Sequence, residues 1–188
     1  MGFLPNYQEY YGLHYNHFKY TWGGVDYNKI LVKTDSVEPD DVLDGMAMST
    51  STEDTTVYFI IPSSYKYRYY LDGWCEGYWT FENWDEAIGT YLTDYTITLE
   101  SVDDAGNVEA LGNYVASSID QDVDAGYEVC FPFKFDLNRV LVDEGSKLRL
   151  KIYYYSTATD NCGIIFYKSP VYGHTLSISI PYAPESGI

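Results

Sequence analysis

Val129-Cys130-Phe131-Pro132-Phe133-Lys134-Phe135-Asp136 alternates without a break. Val129, Phe131, Phe133 and Phe135 fall on one side, and Cys130, Pro132, Lys134 and Asp136 on the other. A period of two means a strand with one face turned to a core. Pro132 cannot donate to a ladder, so this strand is expected at a sheet edge or at a bulge. Downstream the pattern returns: Leu148, Leu150, Ile152 and Tyr154 alternate with Lys147, Arg149, Lys151 and Tyr153, which predicts one core face and one basic face. Upstream, Tyr95, Ile97 and Leu99 alternate with Thr96, Thr98 and Glu100. The run Asp103-Asp104-Ala105-Gly106-Asn107 then supplies a turn, and residues 108–115 return as the second arm of a hairpin. Shorter strands are expected at Ile30 to Lys33, at Thr56 to Ile61 before Pro62, at Gly163 to Lys168 and at Thr175 to Ile180. Helical spacing is confined to Asn83 to Ile88, where Asn83 can cap Glu86. Many short strands with turn residues between them predict an all-β, antiparallel β-sandwich of jelly-roll type over residues 28–188. Residues 1–27 carry aromatics without either period, among Gly12, Gly23 and Gly24, and are expected as an irregular N-terminal arm.

The chain of 188 residues suits one such domain. A net charge of −17 would be repelled by a nucleic-acid backbone, which disfavours DNA or RNA as a partner. No apolar run approaches the roughly 18 residues a spanning helix needs, so no membrane partner is expected. The stretch Met1 to Phe18 lacks the basic start and apolar centre of a secretion signal. The expectation is a chain made and folded in the cytoplasm, or one that has lost its signal. Cys75, Cys130 and Cys162 have no metal-type spacing, and an odd count argues against a disulfide framework; all three are read as reduced.

The unusual number is 22 Tyr, beside 8 Phe and 4 Trp. Between Tyr65 and Trp84 lie Tyr67, Tyr69, Tyr70, Trp74, Tyr78, Trp79 and Phe81, interspersed with Asp72, Glu76 and Glu82. An aromatic face covers the apolar side of a pyranose while a carboxylate accepts its hydroxyl protons. The same residue types make protein–protein hot spots. Tyr67, Tyr69, Trp74, Tyr78, Trp79 and Trp84, with Tyr10 and Tyr15 of the arm, are therefore the candidate ligand or partner contacts. Packing against one another in a core is the competing use of these rings. Asp120, Asp122 and Asp124 form Asp-x-Asp-x-Asp, a spacing able to offer oxygens to Ca²⁺. The EF-hand pattern fails, because Ala125 and Phe131 stand where it needs Gly and Glu. His14, His17 and His174 have no ligating company in sequence. No nucleophile elbow, phosphate loop or zinc-protease motif occurs, so no catalytic residue is nominated and no enzyme is expected.

The segment Val142-Asp143-Glu144-Gly145-Ser146-Lys147-Leu148-Arg149-Leu150-Lys151-Ile152, with Thr175-Leu176-Ser177-Ile178-Ser179-Ile180-Pro181, resembles the closing strands of jelly-roll modules. Such strands occur in the β-sandwich virion proteins of tailed phages and archaeal viruses, including capsid decoration proteins. They also occur in the galactose-binding-like jelly roll, used for carbohydrate binding or as an accessory domain in hydrolases. The pattern covers roughly a quarter of the chain and transfers no functional residue. The first resemblance implies a virion structural protein that assembles with itself and a capsid protein through aromatic surfaces. The second implies an extracellular carbohydrate-binding module that uses the Tyr65–Trp84 cluster on a glycan.

Overall fold

The computed structural model describes residues 6–14, 19–33, 45–49, 55–83, 90–119, 121–124, 127–156, 162–166 and 176–183. These residues are strands and turns, without a helix. In chain order the strands are β1 (Asn6–His14), β2 (Tyr20–Trp22), β3 (Val25–Tyr27), β4 (Lys29–Val32), β5 (Gly45–Ser49), β6 (Thr55–Ile60) and β7 (Tyr69–Asn83). There follow β8 (Thr90–Val102), β9 (Val108–Ala116), β10 (Gln121–Val123), β11 (Tyr127–Val142), β12 (Lys147–Ser156), β13 (Cys162–Phe166) and β14 (Ser177–Tyr182). All but β2 and β3 belong to one 12-stranded sheet in the order β10-β8-β12-β6-β4-β1-β14-β7-β13-β5, with β9 beside β8 and β11 beside β7. Every ladder in it is antiparallel except β4–β6, which meet in parallel at Ile30 and Ile60.

The sheet folds over so that β8 and β12 pack on β7 and β11. The buried Trp79 of β7 lies 5.3 Å from the Tyr95 ring of β8, 5.7 Å from Tyr154 of β12 and 5.3 Å from Phe131 of β11. Around this ring cage pack Phe81, Ile97, Leu99, Phe133, Phe135, Leu150 and Ile152, all buried. The all-β sandwich and the alternation of β11 and β12 are thus as the sequence predicts. Phe131, Phe133 and Phe135 are buried while Cys130, Pro132, Lys134 and Asp136 are exposed. Among the described residues β11 pairs only with β7, which makes it the edge strand that Pro132 implied.

Beyond the long strand β7 and the parallel β4–β6 contact, neither of which the sequence reading contains, three features differ from it. Residues 6–14 are no arm: β1 sits inside the sheet between β14 and β4, and Tyr10 is buried. Gly12 is what permits this, since a Cβ there would lie 2.8 Å from a Leu176 methyl and 3.2 Å from the Phe59 ring. Residues 20–27 are a hairpin, β2–β3, turning on Gly23 and Gly24, both with positive φ. Lastly, the basic face of β12 is covered. Lys147 and Arg149 are both buried beneath that hairpin. The Lys147 ammonium lies 4.5 Å from the Trp22 ring centroid and donates to the Pro62 carbonyl. Arg149 donates to Glu100 Oε2 from Nε (2.8 Å) and Nη2 (2.5 Å), and to the Tyr27 hydroxyl at 3.0 Å; its guanidinium also stacks 4.3 Å from the Tyr58 ring. Trp22 Nε1 donates to the Val102 carbonyl at 2.8 Å. Tyr27, Ile30 and Ile60, with Tyr20, Trp22 and Val32 against them, form a small second core there.

The helix expected from Asn83 does not start at that residue, which ends β7; residues 84–89, with Trp84, lie outside the described residues.

Candidate functional site

Strand alternation divides the aromatic cluster of residues 65–84 between two environments. Along β7, Cys75, Trp79 and Phe81 point inward and are fully buried, whereas Trp74, Glu76 and Tyr78 point outward. On β11 the residues opposite them are Asp136, Lys134 and Pro132. The outward face is therefore a strip in which Trp74, Tyr78 and Pro132 supply apolar surface and Glu76, Lys134 and Asp136 supply charge. Trp74 is 49% exposed. The Lys134 ammonium stands 5.1 Å from the Trp74 ring centroid and 2.8 Å from Glu76 Oε2.

An open groove of about 440 Å³ runs beside this pair, lined by Glu76, Gly77, Tyr78, Tyr114, Pro132, Phe133 and Lys134. That volume lies within the usual range for small-molecule sites, roughly 300–1,000 Å³. The groove combines ring surface, a carboxylate acceptor and an ammonium donor without a buried nucleophile.

The strip continues toward the other end of β7. There the ladder slips between Leu137 and Val140 of β11. The bulge places Arg139 at φ 50, an uncommon conformation for a side chain larger than glycine. Its guanidinium stacks 4.6 Å from the ring of Tyr70, itself exposed. Tyr67, in the loop before β7, is 74% exposed.

The other nominated aromatics lie elsewhere. Trp79 is wholly buried, and its place as a contact is corrected to one at the centre of the core. Tyr10 is corrected likewise: its hydroxyl shares a 2.9 Å hydrogen bond with that of Tyr182 and donates to Gln8 Oε1 at 3.0 Å. Tyr69, half-buried, stacks 5.6 Å from Tyr182, and Tyr65 packs on both rings. Burial pushes the phenol of Tyr10 up to about 12 and those of Tyr69 and Tyr182 well above the ordinary range. These neutral phenols hold strands together rather than meeting solvent. Tyr15 lies outside the described residues.

Asp122 and Asp124 are exposed on either side of the buried Val123, and Asp120 lies outside the described residues. Among the described residues no three His, Cys, Asp or Glu side chains converge as metal ligands. Cys75 is buried in the core, with its thiol pushed up by burial first and by Glu76 second, and Cys130 is exposed; neither is disulfide-bonded.

Sequence reasoning missed Tyr70 and Arg139 as parts of the strip, and the pairing of Lys134 with Trp74. The alternation of β11 already turned Lys134 outward. What neither strand's sequence contains is the register that sets Lys134 opposite Glu76.

No family model matches the chain, and no curated protein does. Solved structures do. An aminopeptidase from the marine sediment archaeon Thaumarchaeota archaeon aligns over 69% of this chain and 26% of its own, at 5% identity and a TM-score of 0.52. A CocE/NonD family hydrolase from Staphylococcus aureus aligns over 92% of this chain and 36% of its own, at 11% identity and the same TM-score. A chain in the structure of infectious bursal disease virus Gx strain aligns over 98% of this chain at 9% identity, with a TM-score of 0.32, too loose a likeness to carry an argument. At such identities the shared feature is the fold. The chain spans about a quarter to a third of the length of the hydrolase chains it matches. The expectation of no enzyme is corrected by these likenesses, since the β-fold is one that an aminopeptidase and a CocE/NonD family hydrolase also carry.

Proposed function

We propose that this chain is a saccharide-binding β-domain of the kind joined to hydrolases, with the outward strip of β7 and β11 as its binding surface. The observation that carries the reading is the arrangement around Trp74: a half-exposed indole beside an ammonium that is paired with a carboxylate, both charges lining an open groove. The indole covers the C–H face of a sugar ring, Glu76 accepts hydroxyl protons and Lys134 donates to ring or hydroxyl oxygens. Tyr70 and Arg139 extend the surface toward a second sugar unit. The likeness of fold to hydrolases more than twice as long supports the accessory placement, and an extracellular location accords with it.

The test is a glycan array followed by calorimetry on the best binder, with the intact chain and with Trp74→Ala. Stacking of this kind contributes about 0.5–1.5 kcal/mol, so affinity should fall about two- to tenfold with an unchanged fold. Full retention of binding in Trp74→Ala would remove the strip from the site.

Assembly on a virus particle is the second reading. It is supported by the exposed rings of Tyr7 and Tyr127, which lie apart from Trp74 along the chain and provide separate contact points. It requires self-association or capture by a capsid protein, and a chain that shows neither at high concentration would exclude it.

A further inference from the structure

Trp74 stands among more negative charge than the strip neutralises. Along β7 its neighbours on the same side are Asp72 and Glu76, and across the ladder it faces Asp136 of β11. Residues two apart on one strand face lie about 7 Å from each other, and directly opposed residues lie closer, so all three carboxylates stand within reach of the indole edge. One ammonium meets them: Lys134, which pairs with Glu76. Arg139, the other cation of the strip, is stacked on Tyr70. Among the described residues Asp72 and Asp136 have no ion-pair partner. Two unpaired carboxylates attract a cation, and their surroundings select its kind. They form no metal site, since among the described residues no three His, Cys, Asp or Glu side chains converge as ligands. They are spread around an exposed ring, which suits a cation with an apolar body to lay on that ring. Lys134 shows the fit within the chain itself, its ammonium 5.1 Å from the Trp74 ring centroid and 2.8 Å from Glu76 Oε2.

We propose that the saccharide bound at Trp74 is a cationic amino sugar, a glucosamine oligomer with free ammonium groups, and that Asp136 and Asp72 read its charge. The inference rests on the saccharide reading of this strip and names the class of ligand. With the C–H face of one sugar unit on the indole, the ammonium of that unit projects from the ring edge, where the two unpaired carboxylates stand. Glu76 and Lys134 remain for the hydroxyls. The net charge of −17 favours the same class, because it draws a polycation toward the surface and speeds its encounter at low salt.

The experiment is calorimetry of the full chain with a glucosamine hexamer and with its fully N-acetylated, uncharged counterpart. It is run at mildly acidic pH, where the sugar amines hold their protons and exposed carboxylates have lost theirs. The expected result is about tenfold tighter binding of the charged hexamer at low salt, a preference that shrinks as salt is added. Asp72→Asn with Asp136→Asn should cut that preference to about twofold or less. Trp74→Ala should weaken both hexamers, and thermal melts check that each variant is folded. An uncharged hexamer bound as tightly as the charged one, still through Trp74, overturns the amino-sugar inference and leaves the saccharide reading standing. A chain that binds neither hexamer overturns the inference too, and the saccharide reading then depends on the glycan array. A preference that survives both asparagines, or pentalysine bound as tightly as the charged hexamer, places the attraction in the overall charge rather than at Trp74 and also overturns it.

Discussion

Trp74 and Trp79 stand five positions apart on one strand, and replacing each by alanine should give opposite results. Trp79 has no exposed surface, and its indole touches the rings of Tyr95, Phe131, Tyr154 and Phe81 at centroid distances of 5.3 to 6.3 Å. Truncating a buried Trp costs about 3–5 kcal/mol in lost transfer energy and residual cavity. With a chain of this size losing about 2–4 °C of Tm per kcal/mol, the melting point should fall by about 6–20 °C. One offset reduces the loss: Trp79 Nε1 is buried without a hydrogen-bond partner, a defect that disappears with the ring. Trp79→Phe removes the same orphaned N–H and keeps most of the ring contacts, so it should cost far less, within about 1–2 kcal/mol of the original. Trp74→Ala gives up only a half-exposed ring and its contact with Lys134, about 0.5–1 kcal/mol, and should move Tm by no more than about 4 °C. Thermal melts by near-ultraviolet circular dichroism measure all three. A Trp79→Ala chain that melts with the original would refute the two-layer core described above, since Trp79 joins the rings of β8, β11 and β12 there.

Three further outcomes follow from the packing. Glu100→Ala leaves the buried Arg149 without its carboxylate and should cost about 3–5 kcal/mol by urea denaturation, whereas Glu100→Leu combined with Arg149→Met should recover much of that. Recovery no better than Glu100→Ala alone would mean the guanidinium is held chiefly by Tyr27 and Tyr58. Gly77→Ala places a Cβ 2.1 Å from the Ser177 carbonyl oxygen, so β14 must part from β7; a loss of about 3 kcal/mol is expected, and an unchanged Tm would show that register to be wrong. In alkali, Tyr10, Tyr69 and Tyr182 have folded pKa values above the unfolded 10, which contributes stability that is whole below pH 10 and lost as pH rises toward and beyond about 12. Tm should hold to near pH 10 and then fall steeply, with tyrosine ionisation read at 295 nm; phenols that ionise before unfolding would contradict their burial.

Much of the sandwich was legible because its strands use residues with a clear preference. β11 sets Phe against Pro, Lys and Asp, and β8 sets Ile and Leu against Thr, so the period of two is visible and the structure follows it. In β1 that contrast runs out. Its inward Tyr10 and outward Tyr7 are the same residue type, and its inward Gly12 has no side chain to register a pattern. Tyrosine buries a ring and presents a hydroxyl, so it is at home on either face; in a chain with 22 of them the binary pattern loses contrast. The β2–β3 hairpin was readable by another route. Gly23-Gly24 between Trp22 and Val25 is a two-residue turn signal, obscured by the expectation of an arm.

The site was half legible for a related reason. Sequence gathered the right rings into one cluster, but a cluster along a strand is two clusters in space, and only the parity of each position separates them. With Cys75, Trp79 and Phe81 turned inward, parity alone turns Trp74, Glu76 and Tyr78 outward. What parity cannot supply is the partner strand. Lys134 meets Trp74 and Glu76 because β11 runs antiparallel to β7 in a register pinned at one end by the bulge at Arg139. Shifting that register by one residue would turn Phe133 outward and Lys134 into the core. The Phe side chains of β11 thus fix the chemistry of the opposite face: the hydrophobic pattern that decides the fold also sets which charges stand beside the exposed indole.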